Sequence, residues 1–542
     1  MSRRALYEAC LSKAELPPGG FSLTAPTGSG KTLAMMAFAL KHAAVHNLRR
    51  VIVVLPFLAI IEQNARVYRD ILGTHEDGSS VVLEHHSAVQ MERESKEPVS
   101  RENESPPQIR AKQATENWDA PVIVTTAVQF LESLFARRPS RCRKLHNIAR
   151  SVVLFDEVQT LPFPLLDPIL SAVRDLRDHF GVSFLFASAT QPTFDKSPNL
   201  PCGFKPQECR EVDENRLQTF SILRRTRLEL PFLTEGKWSW NTLAQRIKPE
   251  PRALIIVNLR QHAQDLYDLL WSRNTKPLFH LSSTMCTAHR EALLGHKKDP
   301  ASGTIYHALQ HNEPCVVVST QVVEAGVDVD FPIIFRALAP LDAIIQAAGR
   351  CDREGRLTLS AGSPAGRVVV VEPDFKFTTP PGFYTEATRK TRSLLTEIAD
   401  DPDRVLDDPA IFAKYHANLI AWGEGQEQAR EIQKACSILG FKTVDSLFRL
   451  IDDAGQGVVV RYGEAPAILD RIRTQGYVTR DDRRDLQHYS VALTPTWFSK
   501  LQNSLEEVFK KQDQGLWEYT QKYEDEGVGL RLGELPIEEF LG

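Results

Sequence analysis

Residues 24–32 read TAPTGSGKT, with a lysine and a threonine set behind two glycines. Glycines at that spacing let the backbone curl with its N–H groups turned inward, and a helix that opens there aims its positive end at the same point. The arrangement holds a phosphate. Lys31 reaches the terminal phosphates of a nucleotide, and Thr32 offers its hydroxyl to a bridging magnesium ion. Thr27, Gly28, Ser29, Gly30, Lys31 and Thr32 form the candidate ATP-binding loop, with Ala25 where the common pattern has its first glycine.

A second chemical pair, Asp156 and Glu157, comes 125 residues after Lys31 and directly follows the apolar run VVLF. Adjacent carboxylates are commonplace on surfaces. Delivered to a strand end behind a phosphate loop, they suit hydrolysis: Asp156 as a magnesium ligand, Glu157 polarising the attacking water. A third set is Arg350 and Arg353 in QAAGRCDREG, three apart and expected on one face of a helix. Helix arginines are usually salt-bridge partners on the surface. Supplied across a cleft, they neutralise charge on a transferring phosphoryl group.

The elements that must position these groups alternate along the chain. Phe21-Ser22-Leu23 is a strand leading into the loop, and the Ala/Leu/Met-rich residues 33–40 continue as a helix. Apolar strands follow at 51–55, 81–87, 122–124, 151–155 and 184–187, the last ending in Ser188-Ala189-Thr190. After a stretch rich in Pro, Cys and charge at 191–248, strands recur at 253–257, 280–283, 315–318, 332–335 and 368–371. Strand–helix alternation repeated twice implies two α/β domains with parallel sheets. Residues 91–108, charged and proline-bearing, read as a mobile solvated loop, and the basic run 137–150 as a solvated face.

A chain of 542 residues, 42% hydrophobic and 25% charged, has the composition of a soluble multidomain protein. No apolar run reaches membrane-spanning length, and the first residues, MSRRALYEACLSKAE, are not a secretory signal. Eight dispersed cysteines form no disulfide framework or zinc spacing, which implies a reducing cytoplasm. A net charge of −4 excludes a protein that coats nucleic acid by bulk charge while leaving room for a local basic channel.

In order, TAPTGSGKT, LPFLAIIEQNA, VIVTT, DEVQ, SAT, VVSTQVVEAGVDVDF and QAAGRCDREG resemble the motif series of a superfamily 2 helicase over residues 24–355. Alanine in place of the first loop glycine is common in that group. LEHHSA at 83–88, NWDAPVIVTT at 117–126, RKLHNIARSVVLFDEVQ at 143–159 and HLSSTMCTAHR at 280–290 further resemble the helicase of type I CRISPR interference, which normally joins a nuclease to this motor. The resemblance implies two tandem RecA-like domains with ATP and Mg2+ between them and single-stranded DNA across their tops. It implies that Gln346, Arg350 and Arg353 sense the terminal phosphate. Gly326 and Asp328 match the block that links nucleotide to strand, and Thr125, Thr126, Gln159, Ser188, Thr190, Ser319 and Thr320 match positions that grip the DNA backbone or couple it to hydrolysis.

Three departures stand out. Gln159 replaces the histidine of many family members, and no glutamine precedes the phosphate loop to select adenine. The family's nuclease needs clustered His and Asp ligands upstream of the motor, and the chain holds no His-Asp dipeptide. His85-His86 does not replace them, because adjacent strand residues face opposite ways. The expectation is therefore a motor whose HD nuclease is a separate polypeptide or a missing domain.

The domain expectation is 1–235 and 236–373 for the two RecA-like domains, 374–428 for a linker with bridging helices, and 429–542 for a smaller α+β accessory domain. The resemblance implies a 3′ to 5′ translocase recruited by an RNA-guided surveillance complex in a prokaryotic cytoplasm. A general DNA or RNA helicase and an ATP-regulated nucleic-acid scaffold are the alternatives. A scaffold has no need of the full set Lys31, Asp156, Glu157, Arg350 and Arg353.

Overall fold

The computed structural model describes residues 2–56, 58–74, 80–85, 114–273, 277–324, 326–422, 426–450, 455–509 and 515–533. The charged segment read as a mobile loop at 91–108 lies outside them, as does His86. The chain divides into two compact units, one holding the residues up to 224 with 404–452, the other 225–403 with those from 453 onward.

The first unit is built on a seven-stranded sheet. Its strands are β1 Gly20–Thr24, β2 Arg50–Leu55, β3 Val82–His85, β4 Val122–Thr126, β5 Ser151–Phe155, β6 Ser183–Ser188 and β7 Cys209–Glu211. They lie in the order β3-β4-β2-β5-β6-β1-β7, and every neighbouring pair is parallel. Strands buried on both faces read as continuous apolar runs, and β4, β5 and β6 are buried at every position. Two apolar cores follow, one on each face: Met35, Phe38 and Tyr68 pack on one side, Trp118, Phe130 and Leu170 on the other. Ile432 and Phe448, from the helices at Gln426–Ser437 and Phe441–Leu447 and just past them, complete the second of these cores.

The second unit repeats the plan with six parallel strands. These are β8 Thr226–Glu229, β9 Arg252–Ile256, β10 Leu278–Leu281, β11 Cys315–Ser319, β12 Ile333–Ala337 and β13 Gly366–Val371, in the order β10-β11-β9-β12-β13-β8. A smaller four-stranded sheet in the same unit, β14 Gln456–Val459, β15 Ser490–Leu493, β16 Leu505–Phe509 and β17 Leu516–Tyr519, mixes parallel and antiparallel pairs. Its core takes in Cys286 from the residues after β10, so sheet and domain share apolar contacts. The fold is therefore the expected α/β pair of RecA-like sheets with a small α+β addition.

Residues 191–248, which carry no clear strand signal, supply an edge strand to each large sheet. β7 reads CRE and β8 reads TRLE; short charged edges are how sheets avoid pairing with other chains. The basic run 137–150 forms two single-turn helices, Pro139–Cys142 and Leu145–Ile148, and Arg137, Arg141 and Arg143 pair with Asp445, Glu132 and Glu116. Among the described residues no helix is long and apolar enough to cross a membrane.

Candidate functional site

In a parallel sheet all carboxyl ends lie at one edge, and the loops leaving that edge build the site. β1 delivers the phosphate loop there, β5 delivers Asp156-Glu157, and β6, lying between them, ends at Ser188 level with Thr24. Gly28 and Gly30 adopt φ of 82° and 88°, a left-handed backbone that side-chain-bearing residues resist. Gly30 caps the helix Lys31–Val45, fifteen residues long, whose first N–H groups open onto the loop. Lys31 is 8% exposed, and its Nζ lies 3.6 Å from Glu157 Oε1. Among the described residues that ammonium and the Ser29 hydroxyl, both buried, have no hydrogen-bond partner. Buried donors that make no hydrogen bond are costly, so both are fitted to an acceptor such as a phosphate oxygen. Thr27 and Thr32 flank them, both partly exposed.

Asp156 is anchored by its own N–H, which donates to Val54 O at 3.0 Å, while its Oδ1 accepts from Glu157 N at 3.0 Å. Burial, with Glu157 alongside, pushes its carboxyl above the ordinary range, and Lys31 opposes the shift. A hydroxyl at Thr32 and a carboxylate at Asp156 are the hard oxygen donors magnesium takes, and magnesium commonly needs only one or two from protein. Glu157 sits at φ 51°, turned out of the strand direction. Gln159 Nε2 donates to Glu157 Oε2 at 2.7 Å, its Oε1 accepts from Ser188 Oγ at 2.5 Å, and Ser188 Oγ accepts from Thr190 N at 2.8 Å. Asp156, Glu157, Gln159, Ser188, Thr190 and Lys31 thus lie in one continuous cluster. Thr125 Oγ1 donates to His85 O at 2.8 Å and Thr126 caps the helix Ala127–Phe135. His85 is itself a structural residue, its Nδ1 accepting from Trp118 Nε1 at 3.2 Å.

In the second unit the structure changes one expectation. The helix at Leu341–Ala348 ends at Gly349, so Arg350 and Arg353 do not share a helix face but sit on the turns that follow. Asp352 at φ 44° breaks the helical path, and Asp330 takes the turn's donors, Arg353 N at 2.6 Å and Glu354 N at 3.2 Å. Arg350 donates from Nε to Val323 O at 3.2 Å and from Nη2 to Glu324 O at 2.7 Å. Arg353 Nε pairs with Asp328 Oδ1 at 2.8 Å, and Lys297 also pairs with Asp328. Burial alone would raise the Asp328 carboxyl, but Arg353 and Lys297 hold it below the usual range. Gly326 stands two residues before it at φ 80°, and Gln346 lies half-buried on the last turn of its helix. Ser319 Oγ and Thr320 N both donate to Leu281 O, at 2.7 and 3.2 Å.

The seven residues expected to grip or couple nucleic acid are all at most 8% exposed, and the hydroxyls of Thr125, Ser188 and Ser319 donate inward. Two contributors carried no local sequence signal. Glu211 on β7 accepts from Thr24 N at 3.1 Å, Thr24 Oγ1 at 2.7 Å and Ser22 Oγ at 3.1 Å, and so holds the strand that ends in the phosphate loop. Lys297 stands in a polar stretch with nothing to mark its partner.

Two protein families match the chain: DEAD/DEAH box helicase over residues 8–197, and CRISPR-associated nuclease/helicase Cas3, C-terminal, over residues 250–356. Two segments of the chain thus match helicase families, the second of them that of the Cas3 C-terminal region. The chain is 26% identical over 444 residues to a CRISPR-associated nuclease/helicase Cas3 of Haloferax volcanii, covering 66% of this chain and 46% of the relative. With the Cas3 of Methanothermobacter thermautotrophicus it is 24% identical over 421 residues, 77% of this chain and 46% of that one. The chain thus spans about half the length of the curated Cas3 relatives it matches. Among solved structures, T. fusca Cas3 with AMPPNP aligns at a TM-score of 0.67 and 19% identity, over 96% of this chain and 68% of that one. A chain in a CRISPR RNA-guided surveillance complex, pre-nicking, aligns at 0.55 and 19%, over 96% and 67%. At these identities the structural likeness establishes the Cas3 fold.

Proposed function

We propose that this chain is an ATP-dependent translocase that moves 3′ to 5′ on single-stranded DNA and unwinds target duplex in type I CRISPR interference. In this reading an RNA-guided surveillance complex recruits it in the cytoplasm. The separated strand passes to an HD-type nuclease, a separate polypeptide or a domain outside this chain. The relatives' name, nuclease/helicase, and the surveillance-complex likeness support that setting.

The observation that carries the hydrolytic part is the buried Lys31 ammonium beside the glycine loop, 3.6 Å from Glu157 and with no hydrogen-bond partner among the described residues. Bound magnesium would neutralise phosphate charge between Thr32 and Asp156. The loop N–H groups and Lys31 hold the β- and γ-phosphates, fixing the reacting phosphorus before any bond changes. Glu157 orients the attacking water and draws off its proton, its free rotation limited by Gln159. Arg350 and Arg353 are the second unit's phosphate-sensing charges, with Gln346 beside them in sequence. Gly326 and Asp328 link the nucleotide state to the strand. Thr125, Thr126, Ser188, Thr190, Ser319 and Thr320 couple it through inward hydrogen bonds. Backbone-directed contacts of this kind move along a strand without reading its sequence.

The test is the ATP hydrolysis rate with and without single-stranded DNA, with Glu157→Gln alongside. DNA stimulation is expected in the wild type, with a loss of about a hundredfold or more in the variant. A wild-type chain whose magnesium-dependent hydrolysis is absent, or survives Glu157→Gln, refutes the reading. Competition between DNA and RNA strands of one sequence tests the choice of DNA.

A further inference from the structure

Arg336 lies on β12, between β9 and β13, and its side chain is wholly buried. A charge in the middle of a parallel sheet is expensive, and a well-packed apolar residue would serve stability as well or better. Its partners say what else it does. Nη2 forms an ion pair of 2.9 Å with Glu324 Oε1 and donates to Tyr384 Oη at 3.2 Å. Nη1 donates to Asn258 Oδ1 at 2.7 Å and to Ala337 O at 3.0 Å. Tyr384, on the helix Phe383–Glu397, donates in turn to Asn258 Oδ1 at 3.0 Å, and Gln321 Nε2 donates to Asn258 O at 3.1 Å.

Two ties of this network hold one segment, residues 321–324. Gln321 is tied to Asn258 at one end and the Glu324 carboxylate is tied to Arg336 at the other. The carbonyls of Val323 and Glu324 in that segment are the acceptors for Arg350 Nε and Nη2. The direction of the Arg350 guanidinium is therefore tied to where that backbone lies.

We infer that Arg336, Glu324 and Tyr384 are positioning residues for Arg350: they hold the 321–324 backbone to which its guanidinium is bonded, and so aim the phosphate-sensing charge. This rests on the ATP-hydrolysis reading above. Because a positioned arginine acts most strongly on the charge that develops during transfer, disturbing the network lowers kcat and leaves KM for ATP nearly unchanged.

The experiment is a double-mutant cycle on the full chain, reading kcat and KM for DNA-stimulated ATP hydrolysis. Replacing the whole ion pair, Arg336→Met with Glu324→Leu, avoids leaving one buried charge unpaired. Its kcat is expected to fall about tenfold at a KM within about twofold of wild type. Tyr384→Phe, which removes one hydroxyl and spares the fold, is expected to lower kcat about threefold. In an Arg350→Ala background neither change should lower kcat further. Losses that add to that of Arg350→Ala, a wild-type kcat in Tyr384→Phe, or a rise in KM matching the fall in kcat would each overturn the inference. A wild-type chain that does not hydrolyse ATP overturns the underlying reading instead, and the two failures are told apart by that control.

Discussion

Gln159 uses both ends of its amide within the first unit, donating to Glu157 and accepting from Ser188. A histidine there would change charge near neutral pH, whereas an amide does not titrate and keeps the link intact. The chain Glu157–Gln159–Ser188–Thr190 runs from the carboxylate proposed to polarise water to the end of β6, where strand-coupling hydroxyls are proposed. Gln159→Leu cuts it at the centre while leaving Lys31, Asp156 and Glu157 in place. Basal hydrolysis should stay within about threefold of wild type while the DNA-stimulated increment falls about tenfold, the worth of one or two hydrogen bonds. Full stimulation in the variant would show that coupling takes another route. Of this chain only the residue types were legible in sequence; that one amide bridges two strand ends depends on β5 and β6 lying side by side.

At the scale of elements, sequence and structure agree where strands are buried on both faces. Runs such as VVLF in β5 and VVV in β11 must be apolar, because both faces of these strands are buried. The edges were not legible for the opposite reason. β7 and β8 are three and four residues long and carry Arg and Glu, so neither period nor hydrophobicity marks them. The end of the helix at Ala348 was hidden too, since nothing in QAAGRCDREG except glycine breaks helical propensity, and it is Asp330, distant in sequence, that captures the turn. β7 matters beyond its length because Glu211 braces the strand behind the phosphate loop. Glu211→Ala should lower the stability of the first unit by about 1–3 kcal/mol and weaken ATP binding severalfold. Thermal unfolding with and without a non-hydrolysable ATP analogue reads both quantities. Lost stability with unchanged ATP affinity would reduce β7 to a plain sheet edge.

At the scale of the molecule, the chain leaves the first unit at residue 224, builds the second sheet, and returns at 404–452 before completing the second unit. Local pattern cannot show such a return, because the helices at Pro409–Trp422 and Gln426–Ser437 show apolar residues to bury but not which partner buries them. The packing decides it: Phe448 is 2% exposed, its ring stacked on Phe135 at 3.8 Å between centroids, and Ile432 is fully buried in the same core. A chain cut after Asp403 keeps every helicase motif yet leaves that apolar surface uncovered. Burying one such side chain is worth about 1.5–3 kcal/mol, so the cut removes a sizeable part of a marginal stability. In the intact chain, Phe448→Ala isolates the effect and should destabilise the first unit by about 3–5 kcal/mol, with less or no change in the second. Hydrogen exchange resolved along the sequence measures the two units separately. Protection lost around β4, β5 and β6 but kept around β9, β11 and β12 is the expected pattern. Equal loss in both would mean the units unfold as one, and no loss would mean that 404–452 only decorates the first unit.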